Sequence, residues 1–321
     1  MTGRSLALYV GRRLVALVLL VVVISFVVFS LLYLAPGSPE QILLGARPST
    51  PETIAEIRAE YHLDDPFVVQ YWDWARDALQ FDFGRSIRTN EPVVDGIKEH
   101  FWLTLQLGAL AFVITMLLGV PLGVLAALRK RTATDRGVVA LSVVGVSAPA
   151  FATGILLLYV FAVRLGWFPV FGEGSGVIDR LQHLALPAIA LALTGMGLVL
   201  KLTRTAVIGS LEQDYVTFAR ARGIPRRRVL RAYALRNGLV PIVTAAGLLL
   251  AYMLAGTVLV EVTFALPGLG SLLVESVRTL DIPMVQALTI LIATIVVLVN
   301  LVADLVYVAI DPRISFEKAK A

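Results

Sequence analysis

Six stretches of the chain are apolar for roughly twenty residues or more, at 14–34, 101–128, 138–163, 184–202, 239–260 and 285–310. A helix crossing the ~30 Å hydrocarbon core needs about 20 apolar residues at 1.5 Å each. An unpaired backbone amide in lipid costs several kcal/mol, and runs this long suit helices rather than the ~10-residue alternating strands of a barrel. The pattern therefore predicts an all-α polytopic membrane protein with six transmembrane helices. Arg12 and Arg13 precede the first run as they would in a signal peptide. The run is longer than a usual signal core and Ala35-Pro36 makes a poor cleavage site, so it reads as an uncleaved anchor.

Composition agrees with this reading. Of 321 residues, 58% are hydrophobic and 16% charged, against about 25% charged in soluble domains. A soluble enzyme is excluded. With no cysteine and 3 His, disulfide frameworks, cysteine-based zinc sites and thiol nucleophiles are excluded as well.

The distribution of charge sets the orientation, because Lys and Arg near span ends stay on the cytoplasmic side. Residues 1–13 carry Arg4, Arg12 and Arg13; 129–136 is net +3, 201–240 net +7 and 311–321 net +1, whereas 35–100 is net −6 and 261–284 net −2. Both termini are expected in the cytoplasm. The organisation follows: an anchor helix at 1–34, an extracytoplasmic insertion at 35–100, a transmembrane domain at 101–310 with a cytoplasmic loop at 201–240, and a tail at 311–321.

In the insertion, Ile54, Ile57 and Tyr61 at helical spacing follow Pro51, and Asp64-Asp65-Pro66 ends that run. A second run holds Val69, Trp72, Trp74 and Leu79, with aromatics suited to headgroup level. The segment reads as a structured cap or a docking surface for a soluble partner. In the 201–240 loop, Ser210 is placed to cap a helix whose first turn carries Glu212 and Asp214. That helix ends near Gly223, and Pro225 starts another containing Arg226, Arg227, Arg228 and Arg231. Ala219, Ala221 and Gly223 form a small-residue strip that lets another surface approach. A solvated basic loop explains the charges but not the Gly-Ile-Pro turn. Without base-stacking aromatics or a known motif, the loop gives no sign of nucleic-acid binding.

Several chemistries have no support. No lysine follows a glycine, so the chain lacks a phosphate-binding loop. Asp304 is the only charged group well within a predicted span, a poor basis for ion coupling; Asn300 or Arg313 suffices to tie it. Ser147 and His183 are the only intramembrane protease candidates, and His183 reads better as interfacial. Pro121 and Pro149 are expected to interrupt the second and third spans, and Gly119 and Gly123 to permit close helix contact. Thr104, Gln106, Ser142 and Thr257 are weakly polar candidates for lining a pathway.

Motifs along nearly the whole chain carry a resemblance. They include Tyr61-His62-Leu63-Asp64-Asp65-Pro66, Asp82-Phe83-Gly84 with Ser86, Asp214-Tyr215-Val216, Ala219-Arg220-Ala221-Arg222-Gly223 and Arg236-Asn237. Beyond these lie Glu261, Pro267-Gly268-Leu269-Gly270, Asp281 with Pro283, and Asp311-Pro312-Arg313. The chain resembles the permease subunits of binding-protein-dependent ABC importers, in particular the first permease of dipeptide and oligopeptide systems. Nickel and glutathione permeases look similar. The resemblance implies a type I importer permease fold in a bacterial inner membrane. Its partners would be a second permease, two ATPase subunits and an extracytoplasmic substrate-binding protein. It implies no cofactor on this chain, ATP and Mg being bound by the partner subunits. Asp214, Tyr215, Ala219, Arg220, Ala221, Arg222, Gly223, Arg236 and Asn237 would form the element that couples to the ATPase.

Overall fold

The computed structural model describes residues 3–34, 36–45 and 48–310, with side chains at all of these except 3–10, 237, 239, 240, 244, 248 and 307–310. The expected tail 311–321, with Arg313, lies outside the described residues. In chain order the helices are α1 (Gly3–Leu34), α2 (Pro39–Leu44), α3 (Pro51–Glu60), α4 (Phe67–Leu79), α5 (Val93–Leu128), α6 (Ala133–Ser147) and α7 (Ala150–Leu157). They continue with α8 (Gly176–Leu211), α9 (Asp214–Ala221), α10 (Arg226–Arg228), α11 (Arg236–Thr263), α12 (Leu269–Arg278) and α13 (Ile282–Ile310). Leu158–Arg164 and Val229–Leu235 are π-helical, the first extending α7 and the second joining α10 to α11. No strand occurs among the described residues.

Five helices are long and apolar enough to cross a membrane, in α1, α5, α8, α11 and α13. The expected span at 138–163 differs from the others. α6 and the α7 segment pass the same test only as a pair, bent by 104° between them. Ala148, held extended ahead of proline at φ −88° and ψ 119°, and Pro149, at the N-cap of α7, make the break. Pro121, by contrast, lies inside an unbroken α5, against expectation. A membrane helix tolerates the lost amide where packing or local adjustment offsets it.

Packing divides the chain into two compact units, one holding 105–266 and the end of α13, the other 7–104 and 267–297. In the first, α8 is the central helix, packed against α6, α7 and α11. α5 also approaches it closely. A Cβ on Gly123 would lie 2.7 Å from that of Thr203 and 2.8 Å from the Leu200 carbonyl oxygen, so only glycine fits this contact. Thr104, Ser142 and Thr257 are buried. Ser142 and Thr257 donate to Val139 and Leu254 carbonyls of their own helices.

In the second unit the insertion is ordered by its own caps. Ser38 and Thr50 form capping boxes at α2 and α3, each followed by proline. Ile57, on the apolar side of α3, is buried with Leu32, Ile42, Leu43, Leu44 and Ile282. Asp281, just before α13, gathers the chain around it. Its Oδ2 accepts from the Ser86 hydroxyl at 2.5 Å, and its Oδ1 from the Ile87 amide at 3.2 Å and the Met284 amide at 3.4 Å. Both Ser86 and Asp281 are buried. Asp281→Ala removes the shared acceptor and strands the buried Ser86 hydroxyl and the Ile87 amide. We expect a loss of about 2–3 kcal/mol, seen as a lower unfolding temperature in detergent, whereas Arg85→Ala on the exposed side of the same turn changes little.

Candidate functional site

The 212–236 segment is an elbow with a small core of its own. Inside it, Val216, Ala219 and Val229 are buried and Leu211, Ile224 and Tyr233 pack against them. Val216 and Ala219 are one turn apart on α9, which fixes its inward face. Tyr215 stacks on Tyr233, ring centroids 6.3 Å apart at 25°. These contacts join α9 to the helix that follows.

The start of α9 differs from expectation. Ser210 is a buried residue of α8, which runs on to Leu211, and Gln213 stands at the N-cap without capping α9, its side-chain amide donating back to the Gly209 carbonyl instead. A serine whose backbone already takes part in the preceding helix is not free to cap the next. Asp214 does lie in the first turn, where the helix dipole favours a carboxylate. At the other end Gly223 adopts φ +75°. Its amide donates to the Arg220 carbonyl at 3.0 Å and the Ile224 amide to the Ala219 carbonyl at 3.2 Å. This is a Schellman end, with Ile224 making its apolar contact into the elbow core. Pro225 then caps α10, its carbonyl accepting from the Arg228 and Val229 amides.

The site residues named from the sequence thus fall into two groups. Ala219 turns inward, so the small strip is split, with Ala221 and Gly223 exposed. Asp214, Tyr215, Arg220, Arg222 and Arg236 are exposed too, and Phe218 beside them is 67% exposed. Asn237 lies in α11, its side chain outside the described residues. A cleft of about 190 Å³ opens beside the elbow, lined by Ala127, Leu128, Leu211, Val229, Leu230 and the guanidinium-bearing Arg220 and Arg226.

Glu212, expected in the first turn of the elbow helix, instead caps the C-terminal end of α8, and two ion pairs join residues far apart in the chain. The Arg204 guanidinium grips Asp135 at both ends, Nε to Oδ1 at 2.6 Å and Nη2 to Oδ2 at 2.8 Å, and Asp135 also accepts from the Arg131 amide. Lys130 donates to Glu212 at 2.5 Å and holds that carboxyl below the usual glutamate range. Asp135, the sole acid in a segment of four bases, was the available signal. Glu261, counted among the external residues, sits in the last turn of α11 and is fully buried, so Asp304 is not the only carboxylate drawn into a span. Among the described residues no three His, Asp or Glu side chains converge to hold a metal.

A family model described as "Binding-protein-dependent transport system inner membrane component" matches residues 119–316, and one for the N-terminal part of such components matches 6–108. The chain belongs to this family. It is a multi-pass membrane permease subunit, a transport component. Over 314 residues it is 37% identical to a probable peptide ABC transporter permease of Sinorhizobium fredii, covering 97% of this chain and 100% of that one. Over 309 residues it is 36% identical to a glutathione transport system permease of Salmonella choleraesuis, covering 96% and 99%. A solved inward-facing structure of the MetNI methionine ABC transporter superposes with TM-score 0.57 at 19% identity, over 68% of this chain and 98% of that one. That likeness shows the type I ABC importer permease fold.

Proposed function

We propose that this permease, with a second similar one, forms the pathway of an ATP-driven importer of dipeptides or oligopeptides in a bacterial inner membrane. Two ATPase subunits bind ATP and Mg, and an extracytoplasmic binding protein delivers the substrate. The observation that carries the coupling part is the elbow: a small body with an apolar core of its own and Phe218, Arg220 and Arg222 exposed on it. Closure of the ATPases on ATP pulls the elbow, the spans open outward to receive substrate, and hydrolysis resets them. A ligand shifts such an equilibrium only by its differential affinity for the two states, so the elbow is held tightly in at least one. Near-full-length likeness to peptide and glutathione permeases supports a short-peptide substrate, glutathione being itself a tripeptide.

The test is uptake of labelled di- to pentapeptides into proteoliposomes holding the assembled transporter. Import is expected to require ATP, both ATPase subunits and the binding protein. Uptake that persists without the ATPases would refute the ATP-driven reading, and uptake of a free amino acid in preference to every peptide would refute the substrate.

A further inference from the structure

The insertion that the sequence presents as a cap or docking surface contains a helix with three distinct sides. On α4, Phe67, Tyr71 and Trp74 form a stripe packed on the aromatic side chains of α1. Phe67 meets Tyr33 at 5.1 Å between ring centroids, Tyr71 meets Phe26 at 5.3 Å, and Trp74 meets Phe29 at 5.3 Å. Asp73, Arg76 and Asp77 make a polar stripe. The remaining stripe, Val68, Trp72 and Leu79, is apolar and 71%, 70% and 84% exposed.

The depth of the contact on α1 says what covers that third stripe. The Tyr71 hydroxyl lies 2.9 Å from the Ser25 hydroxyl and donates to the Val22 carbonyl at 3.5 Å. Ser25 and Val22 are nine and twelve residues before the outer end of α1 at Leu34, about 13 to 18 Å along the helix. Phe67 and Trp74 sit by Tyr33 and Phe29, and the Tyr71 side chain reaches down to Val22, so α4 lies against the outer half of α1 rather than above its end. The apolar part of α1 is 11% buried within the protein; Val23 and Val27 beside the contact are more than half exposed. A helix lying against that surface meets what α1 meets.

We propose that α4 is seated in the outer leaflet, its Val68–Trp72–Leu79 stripe against phospholipid acyl chains and its polar stripe turned to water. Amphipathic helices parked at the interface bury their apolar face in this way. The inference rests on α1 spanning the membrane and is independent of the substrate.

The chain has no cysteine, so one introduced cysteine, labelled before assembly with the partner subunits, carries the only nitroxide. Val68→Cys, Leu79→Cys, Arg76→Cys and, on α1, Val23→Cys are compared in the assembled transporter in phosphatidylcholine liposomes. The readout is collision with oxygen, which concentrates in acyl chains, against collision with a water-soluble nickel chelate. The oxygen-to-nickel ratio at 68 and 79 is expected to match that at 23 and to exceed that at 76 several-fold. Ratios at 68 and 79 equal to that at 76 would place the stripe in water. Labels immobilised and shielded from both reagents would mean a protein partner covers it. Either result overturns the proposal. Independently, brominated acyl chains are expected to quench part of the tryptophan emission, and Trp72→Phe to reduce that quenched part; unchanged quenching in the variant counts against lipid contact.

Discussion

Gly223→Leu is expected to abolish import and to strip the ATPase subunits from the purified transporter, while Gly223→Ala retains both in large part. Either substitution forces a side chain into the left-handed region, at φ +75°, a cost of about 1–2 kcal/mol that falls on the Schellman end of α9. A Cβ at this position meets nothing within 4 Å inside this chain. The two variants therefore carry nearly the same internal strain and differ in how far they project from the exposed tip of the elbow. A partner surface closing over that tip separates them, and an elbow standing free in water does not. Uptake and ATPase co-purification measured side by side decide the matter: if leucine and alanine behave alike, nothing presses on residue 223. Membrane insertion is expected to be normal in both, since the spans are untouched.

The second large effect is on stability. Asp135→Ala leaves the Arg204 guanidinium facing a site where both of its bonds have vanished, and also orphans the Arg131 amide. Breaking a buried pair by removing one partner costs about 3–5 kcal/mol. Asp135 is 5% exposed and Arg204 25% exposed in their side chains, so water recovers part of this and about 2–3 kcal/mol remains. The double variant Asp135→Leu with Arg204→Met is expected to regain most of that, because apolar replacement of both members removes the uncompensated charge. Thermal unfolding in detergent reads both. A single variant that melts with the wild type would show that the pair does not fasten the start of α6 to α8. Lys130–Glu212, with both side chains well exposed, is expected to matter little.

These experiments address features of different legibility. The spans could be read directly, because crossing lipid demands a long apolar run with its backbone bonds satisfied internally, and that requirement is written locally. The turn at Gly223 is equally local, depending on residues within a few positions. The break in the third span was visible as Pro149 but not its size, since Pro121 carries the same mark and leaves α5 whole. Whether a proline bends a membrane helix depends on what its neighbours offer the freed carbonyl.

Contacts distant along the chain were beyond sequence reading. Ser210 has the chemistry of a cap and is no cap, because α8 extends through it. Ala219 matches its neighbours Ala221 and Gly223 in size, yet burial against Val229 separates it from them. Asp135 finds Arg204, and Asp281 finds Ser86, 195 positions away. The sequence by itself determined that this is a membrane helix protein and where its elbow turns, because each follows from local hydrophobicity or backbone conformation. Only the tertiary structure decided which face of each helix is spent on internal packing and which is left for lipid or partner, because that choice is made by side chains meeting across elements whose separation in sequence carries no signal.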